Sequence, residues 1–460
     1  MKRNEIQKHL YQKYIAPTEQ PRERYVGIEV EMPVVNLSGE AVDFAVPQQA
    51  AAALIRTFGF EPQGYDEEGI CYSATHPENG DNISFDCSYN NLELSLGRET
   101  MLATLEKRFQ RYVSFLNQEL GKSGYILTGM GINPHYKVNS KAFLHVERYR
   151  MLERYLQQYR SWKVPMYFHP YPDYPTYASA SQVQLDVQKD RLIPTIRAFS
   201  LVEPVKAVLF SNSCMTEEPE LLCTRDMLWE NSTHGINPHN IGMFEHLPES
   251  EEELLEYIST TSIFCTERQG HYIHFQPIPI IDYLERNRVE GEYYADGGYH
   301  TITFQPEEGD LAYLRSYKFE DLTYRGTIEF RSACCQPFRD VMTVAAFHVG
   351  LMDHVEELTA LLEQDTSIYQ HGYSAAELRN ILNRREWPEF VDRDGLKQLC
   401  LSVLDLAEQG MKETGLGEER YLQPLYRRAE QLTSPGRQYM DALDAGVSRE
   451  QLILAYASLN

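Results

Sequence analysis

The sequence predicts an α+β protein, on three observations. Short strand-like segments with period-2 alternation run through the first three quarters of the chain. Helical periodicity fills the gaps irregularly, without a strict βαβ alternation. From Phe338 onward the pattern is almost entirely helical. No low-complexity tract, Gly/Ser linker or internal repeat divides residues 1–460, so a single domain is expected.

The elements follow in order. Arg24 to Val35 (RYVGIEVEMPVV) is the clearest strand, with Val26, Ile28, Val30 and Met32 on one face and Gly27, Glu29 and Glu31 on the other. Gln48 to Phe58 reads as a helix. Asn82 to Phe85 and Asn91 to Ser95 read as two short strands around a loop. Thr100 to Leu120 is helical by the spacing of Leu102, Leu105, Phe109, Val113 and Leu116. Tyr125 to Met130 and Ala180 to Val187 are strands, and His145 to Tyr159 and Asp190 to Leu209 are helices. Ser250, followed by three glutamates, opens a helix whose positive end those acids suit. His271 to Ile280 and Gly326 to Arg331 (GTIEFR) complete the strands. Helices are then expected over 338–363, 374–384, 394–413 and 419–432, and Ser448 has capping-box spacing for a terminal one.

Composition narrows the function. Against 43 Lys and Arg stand 67 Asp and Glu, a net charge of −24. Nucleic-acid binding needs a basic footprint, and docking on anionic lipid needs one too, so both partners are excluded. An anionic small molecule is not excluded, because bound cations can invert the local sign. The N-terminus has no apolar signal core and Val341 to Met352 is too short to span a bilayer, so a cytoplasmic protein is expected. The 8 cysteines form no C-x-x-C and read as buried thiols, the adjacent Cys334 and Cys335 included.

Familiar nucleotide motifs fail. Gly121-Lys122-Ser123 lacks the upstream glycine of a phosphate loop and follows a helix instead of a strand. Gly129-Met130-Gly131 has Pro134 where a dinucleotide fingerprint needs its third glycine. His271 and His274 are three apart on a strand, so they face opposite sides and make a poor metal pair.

What remains is a set of carboxylates on strands. Glu29 and Glu31 point the same way, which suits either a wet sheet face or a metal site. Asp86 and Glu93 bracket the loop between two strands, and Glu329 lies in an apolar strand beside Arg331. Five carboxylates gathered from several strand segments suit a hard divalent cation such as Mg²⁺. Arg331, Arg325 and Arg225 are candidate clamps for phosphate or carboxylate. Gln182 and Gln184 form another same-face pair, for a substrate or for plain solvation.

The ordered series GIEVE (27–31), FDCSYNNLELS (85–95), TGMGINPHY (128–136), ERYRML (147–152), SQVQLDV (181–187), TRDMLW (224–229) and TIEFRSACCQPF (327–338) resembles the plant and bacterial type of glutamate–cysteine ligase, within the glutamine synthetase-like carboxylate–amine ligases. The resemblance implies a curved, mainly antiparallel sheet forming a funnel with helices outside, like a glutamine synthetase catalytic domain, and a helical C-terminal region. It implies ATP and Mg²⁺ as cofactors, and glutamate and an amine, cysteine by default, as partners. It assigns metal binding to Glu29, Glu31, Asp86, Glu93 and Glu329, catalysis to Arg331 and Arg325, and amino-acid binding to Arg225, Gln182, Gln184 and Asn91. Asp86 stands where the family usually has Glu, and the CSYNN loop and SACCQPF depart from more Gly-rich segments. These departures keep two alternatives open, the same chemistry on another amine and a silent homologue acting as a binding subunit.

Overall fold

The computed structural model describes residues 2–460, the side chain of Arg160 excepted. Seven strands come before the long central helix: β1 (Val26–Asn36), β2 (Glu61–Tyr65), β3 (Cys71–Thr75), β4 (Asn82–Phe85), β5 (Asn91–Glu99), β6 (Tyr125–Leu127) and β7 (Ser181–Asp186). Eight follow it: β8 (Ile241–Gly242), β9 (Ser262–Arg268), β10 (His271–Pro279), β11 (Val289–Ala295), β12 (Gly298–Phe304), β13 (Tyr317–Lys318), β14 (Glu320–Leu322) and β15 (Thr327–Phe330). The large sheet runs β14-β15-β7-β1-β5-β4-β3-β2, with β6 on the far end of β1. All its pairings are antiparallel. A second sheet, β12-β11-β10-β9, is also antiparallel, and β8 with β13 is a small parallel pair. The α+β class and the mainly antiparallel sheet expected from the sequence are therefore observed.

The helices are α1 (Arg3–Leu10), α2 (Ala45–Phe58), α3 (Leu102–Gly121), α4 (Glu147–Gln157), α5 (Lys189–Phe210), α6 (Thr224–Glu230), α7 (Glu251–Thr260) and α8 (Ile280–Glu285). After the last strand come α9 (Thr343–Leu351), α10 (Val355–Glu363), α11 (Ala375–Leu382), α12 (Arg393–Glu413), α13 (Gln423–Gln431), α14 (Pro435–Asp444) and α15 (Arg449–Ala457). Ser250 and Ser448 cap α7 and α15 as their spacing predicts. The expected helix over 338–363 is broken: a 3-10 turn precedes α9, and the chain turns between Leu351 and Val355. The turn lets α9 pack on α12 while α10 packs on α5. At the first of these contacts the helices nearly touch. A Cβ on Gly350 would lie 2.2 Å from the Ala407 carbonyl oxygen, and one on Gly410 would lie 1.9 Å from that of Gly350. The expected helix over 419–432 is likewise a 3-10 turn followed by α13.

Cross-strand pairing sorts the large sheet into two faces. Residues directly opposite one another share a face. On one side lie Ile28, Val30, Met32, Leu92, Leu94, Leu96, Val183, Leu185, Ile328 and Phe330, all at most 4% exposed and covered by helices including α3, α5 and α9. On the other side the register sets Glu31 opposite Glu93, Glu93 opposite Ser84, Glu29 opposite Gln182, and Glu329 between Gln184 and Asp321. A polar row thus crosses the sheet from β14 to β4, and it faces a cavity instead of a helix.

Candidate active site

Two adjoining cavities open over that polar face. The outer one, about 580 Å³, is of ligand-pocket size. Glu29, Glu31, Asp86, Glu93 and Glu329 all line it, with Arg325 and Arg331. The inner one is about 130 Å³ and is lined by three arginines, Arg148, Arg225 and Arg331, and by aromatic residues that include Trp229 and Tyr317. Glu31, Asp86, Arg148, Gln182 and Arg331 belong to both walls.

The carboxylates do not form one cluster of five. Glu31, Asp86 and Glu93 converge, each offering an oxygen within 4.8 Å of the others. Glu29 and Glu329 stand beside them, with Glu329 accepting from Arg331 at 2.5 Å. Burial, then the charges of Glu329 and Glu93, hold Glu29 well above the usual carboxylate range. Burial and the Asp86 charge push Glu31 up to about 8, and burial with Asp86 and Glu31 does the same to Glu93. Such repulsion among carboxylates is what a divalent cation relieves, and an all-oxygen donor set fits Mg²⁺. Gln182 Oε1 adds a buried oxygen without a hydrogen-bond partner.

The two glutamines hold carboxylates, and Gln182 also lines both cavities. Gln182 Nε2 donates to Glu31 Oε1 at 3.1 Å, and the Ala180 amide donates to its other oxygen at 2.7 Å. Gln184 Nε2 donates to Glu29 Oε1 at 2.9 Å, and Gln184 Oε1 accepts from Arg325 Nη2 at 2.6 Å. Both pairs are diagonal across the β1–β7 ladder, in which Gln182 lies directly opposite Glu29 and Gln184 opposite Gly27. Asn91 is a clear correction. It is fully buried, donates to the Ala178 carbonyl, accepts from Ser179 Oγ, and lines neither cavity. Its side chain ties β5 to the segment before β7.

Arg225 sits in the first turn of α6 and is nearly buried. Its Nη1 donates to the carbonyls of Ser332 and Ala333 at 3.4 and 3.3 Å, and no carboxylate lies within 4 Å of it among the described residues. A buried guanidinium without a counter-ion, facing a cavity, is a ready anion site. Its helix is anchored by Arg379, which donates to Asp226 at 2.8 and 3.1 Å and to Glu203 at 2.6 Å. Glu203 also holds Lys206, and Glu320 is beside them, pushed well above the carboxylate range by burial and the Glu203 charge.

Arg148 and Tyr149 are site residues the sequence reading missed. They open α4, and Tyr149 donates to Asp86 Oδ1 at 3.3 Å. The second sheet braces that helix. Arg154 Nε donates to Glu292 at 3.0 Å, the Arg150 guanidinium lies 4.7 Å from the Tyr294 ring, and His271 meets Glu147 at 3.1 Å. His274 faces Glu292, so the two histidines serve different partners, as their spacing predicts. Cys334 is buried, as expected, and its Sγ lies 3.5 Å from that of Cys223, the residue preceding α6.

The chain is similar to known proteins over most of its length. A sequence profile described as glutamate-cysteine ligase family 2 matches residues 25–458. The chloroplastic glutamate–cysteine ligases of Nicotiana tabacum and Arabidopsis thaliana are 22% and 24% identical over 305 and 307 residues, which is 64% of this chain and 53% of each of theirs. The chain thus spans about half the length of the curated relatives it matches. A crystal structure of glutamate–cysteine ligase from Francisella tularensis in complex with AMP aligns at 14% identity and a TM-score of 0.49, covering 96% of this chain and 88% of that one.

Proposed function

This chain belongs to glutamate-cysteine ligase family 2, and from that premise we propose that it is an ATP-dependent γ-glutamyl ligase acting in the cytoplasm, with cysteine as the amine acceptor. The observation that carries the reading is the junction of the two cavities. Carboxylates suited to Mg²⁺ line one, the guanidinium groups of Arg148 and Arg225, with no carboxylate within 4 Å among the described residues, line the other, and Glu31, Arg148 and Arg331 stand at the boundary. An amide bond formed from a carboxylate needs activation, and this boundary is where a phosphoryl group and a carboxylate would meet.

In the proposed reaction an oxygen of the glutamate side-chain carboxylate attacks the γ-phosphorus of ATP, and the bond to the ADP oxygen breaks. The acceptor nitrogen then attacks the acyl carbon of the γ-glutamyl phosphate, inorganic phosphate departs, and the nitrogen loses its proton. Glu29, Glu31, Asp86, Glu93 and Glu329 would hold Mg²⁺, which supplies charge neutralisation for the phosphates when bound. Arg331 and Arg325 face the transferring group and stabilise its developing charge. Arg225 and Arg148 bind the amino-acid α-carboxylate. Gln182 and Gln184 keep two of the carboxylates oriented.

The test supplies glutamate, ATP and Mg²⁺, varies the amine, and measures ADP release together with the peptide product. Cysteine-dependent turnover with γ-glutamylcysteine formed supports the reading. Turnover with a different amine, cysteine giving only background, keeps the ligase chemistry and removes cysteine. No nucleotide binding and no turnover with any amine removes the enzyme reading altogether.

A further inference from the structure

The inner cavity holds a polar group that the proposed reaction leaves idle. His234 lies in a 3-10 turn (Thr233–Ile236) after α6 and lines that cavity. Its side chain is buried. Its backbone amide donates to Ser232 Oγ at 3.2 Å, which caps the turn. The ring has no such anchor. Nδ1 is buried without a hydrogen-bond partner, and no hydrogen bond to Nε2 occurs among the described residues. Burial alone pushes the imidazole down to about 3, so it is uncharged at neutral pH. Buried polar side chains normally have partners, and the exceptions need an explanation. Among the described residues, His234 and Gln182 are the two unpartnered ones that line the inner cavity.

Aromatic rings surround the imidazole. Tyr317, Phe264, Tyr155 and Trp229 have their ring centroids 4.6, 5.1, 5.2 and 5.4 Å from it. Two of these rings tie it to the arginines. Trp229 is four residues beyond Arg225 on α6, so the two share a helix face, and both line the cavity. Tyr317 also lines it, and its ring centroid is 5.7 Å from the Arg331 guanidinium. The inner cavity therefore has a guanidinium side and an aromatic side, with a neutral hydrogen-bonding ring set into the latter.

The chemistry of ligation says which substrate reaches that ring. Glutamate reacts through its side chain, which must run toward the carboxylates and the phosphoryl group of the outer cavity. The acceptor reacts through its amine, so its own side chain takes no part and can occupy the aromatic side. A charged side chain there would lose its hydration without gaining a counter-ion, whereas a short neutral one would not. We propose that His234 is a specificity-determining residue: its imidazole accepts a hydrogen bond from the side chain of the acceptor, which selects short amino acids bearing a thiol or hydroxyl over apolar ones of the same shape. The inference rests on the γ-glutamyl ligase reading of the preceding subsection and adds to it the residue that chooses the amine.

The test measures kcat/KM for cysteine, serine, alanine and 2-aminobutyrate, with glutamate, ATP and Mg²⁺, in the unaltered full chain and in His234→Phe. 2-Aminobutyrate carries a methyl group where cysteine carries its thiol. The unaltered chain should prefer cysteine to 2-aminobutyrate by about tenfold or more. His234→Phe should bring the two amines level through a higher KM for cysteine, with KM for ATP and glutamate unmoved. His234→Gln, which restores a hydrogen-bonding group, should recover part of the preference. Tm of His234→Phe should not fall, because the substitution removes a buried nitrogen that has no partner in the free protein. Absence of the preference in the unaltered chain overturns the proposal, and so does its persistence in His234→Phe. A lowered Tm with all four amines weakened equally would show a merely structural role and overturn it too. If the unaltered chain turns over no amine at all, the ligase reading fails first and takes this inference with it.

Discussion

The outer cavity crowds like charges together, whereas the inner one gathers three arginines, of which Arg148 and Arg225 have no carboxylate within 4 Å among the described residues, and both are built on the same few strands. Glu31, Asp86 and Glu93 approach one another within 4.8 Å, although each gains from being apart. Arg225 is held by neutral carbonyls, with no carboxylate within 4 Å among the described residues. The contrast teaches that a sheet face can hold unfavourable electrostatics of either sign where a ligand is to supply the missing charge. The difference lies in the framing. Glu29 and Glu31 are fixed by hydrogen bonds from the neighbouring strand, while two of the inner arginines, Arg148 and Arg225, are carried by helices α4 and α6.

That comparison can be broken first at the carboxylates. Glu31→Ala or Glu329→Ala is expected to lower kcat by about a thousandfold or more, the scale of losing a group that meets transition-state charge. Circular dichroism should remain native, because both side chains face the cavity. Near-normal rates at saturating Mg²⁺ would deny these residues their part.

Arg225→Ala tests the inner cavity. Loss of a charge-assisted carboxylate contact should raise KM for one amino-acid substrate by roughly tenfold to a hundredfold and leave KM for ATP unchanged. A shift in both constants would mean that the two cavities are not functionally separate.

The smallest effect is one of pH. Glu31 and Glu93 titrate near 8 in the folded protein, against 4.5 for a free glutamate. Between those values the folded state holds more protons than the unfolded one, so metal-free stability should fall as pH rises from about 5 to 8. Mg²⁺ should raise Tm more at pH 8 than at pH 5.5. A metal-free Tm that climbs across this window would contradict the crowding described for the outer cavity.

Much of this was readable in the sequence, for reasons that lie in particular residues. The alternation in β1 placed Glu29 and Glu31 on one face because one strand needs only its own period to declare its sides. Glu93 and Glu329 followed by the same logic. What Gln182 and Gln184 would touch was not readable, since that depends on which strand lies beside β1. Arg148 was missed because it opens a polar helix, and its importance comes from a sheet far along the chain. That second sheet left one usable signal, Asp296-Gly297 between alternating runs. Both residues have positive φ, 49° and 80°, as a tight hairpin turn requires. Asn91 was misread because a polar residue beside a functional strand looks the same whether it faces a cavity or the interior.

Arg379 joins parts of the molecule that are distant in sequence. It lies on α11, in the helical C-terminal region, yet its partners are Glu203 on α5 and Asp226 on α6. Removing the Arg379 guanidinium would leave the buried Asp226 without its ion pair and Glu203 with Lys206 alone, at a cost of about 3–5 kcal/mol. We propose that the helical region and the sheet unfold as one cooperative unit, for which a single calorimetric unfolding transition is expected and two separate transitions would count against.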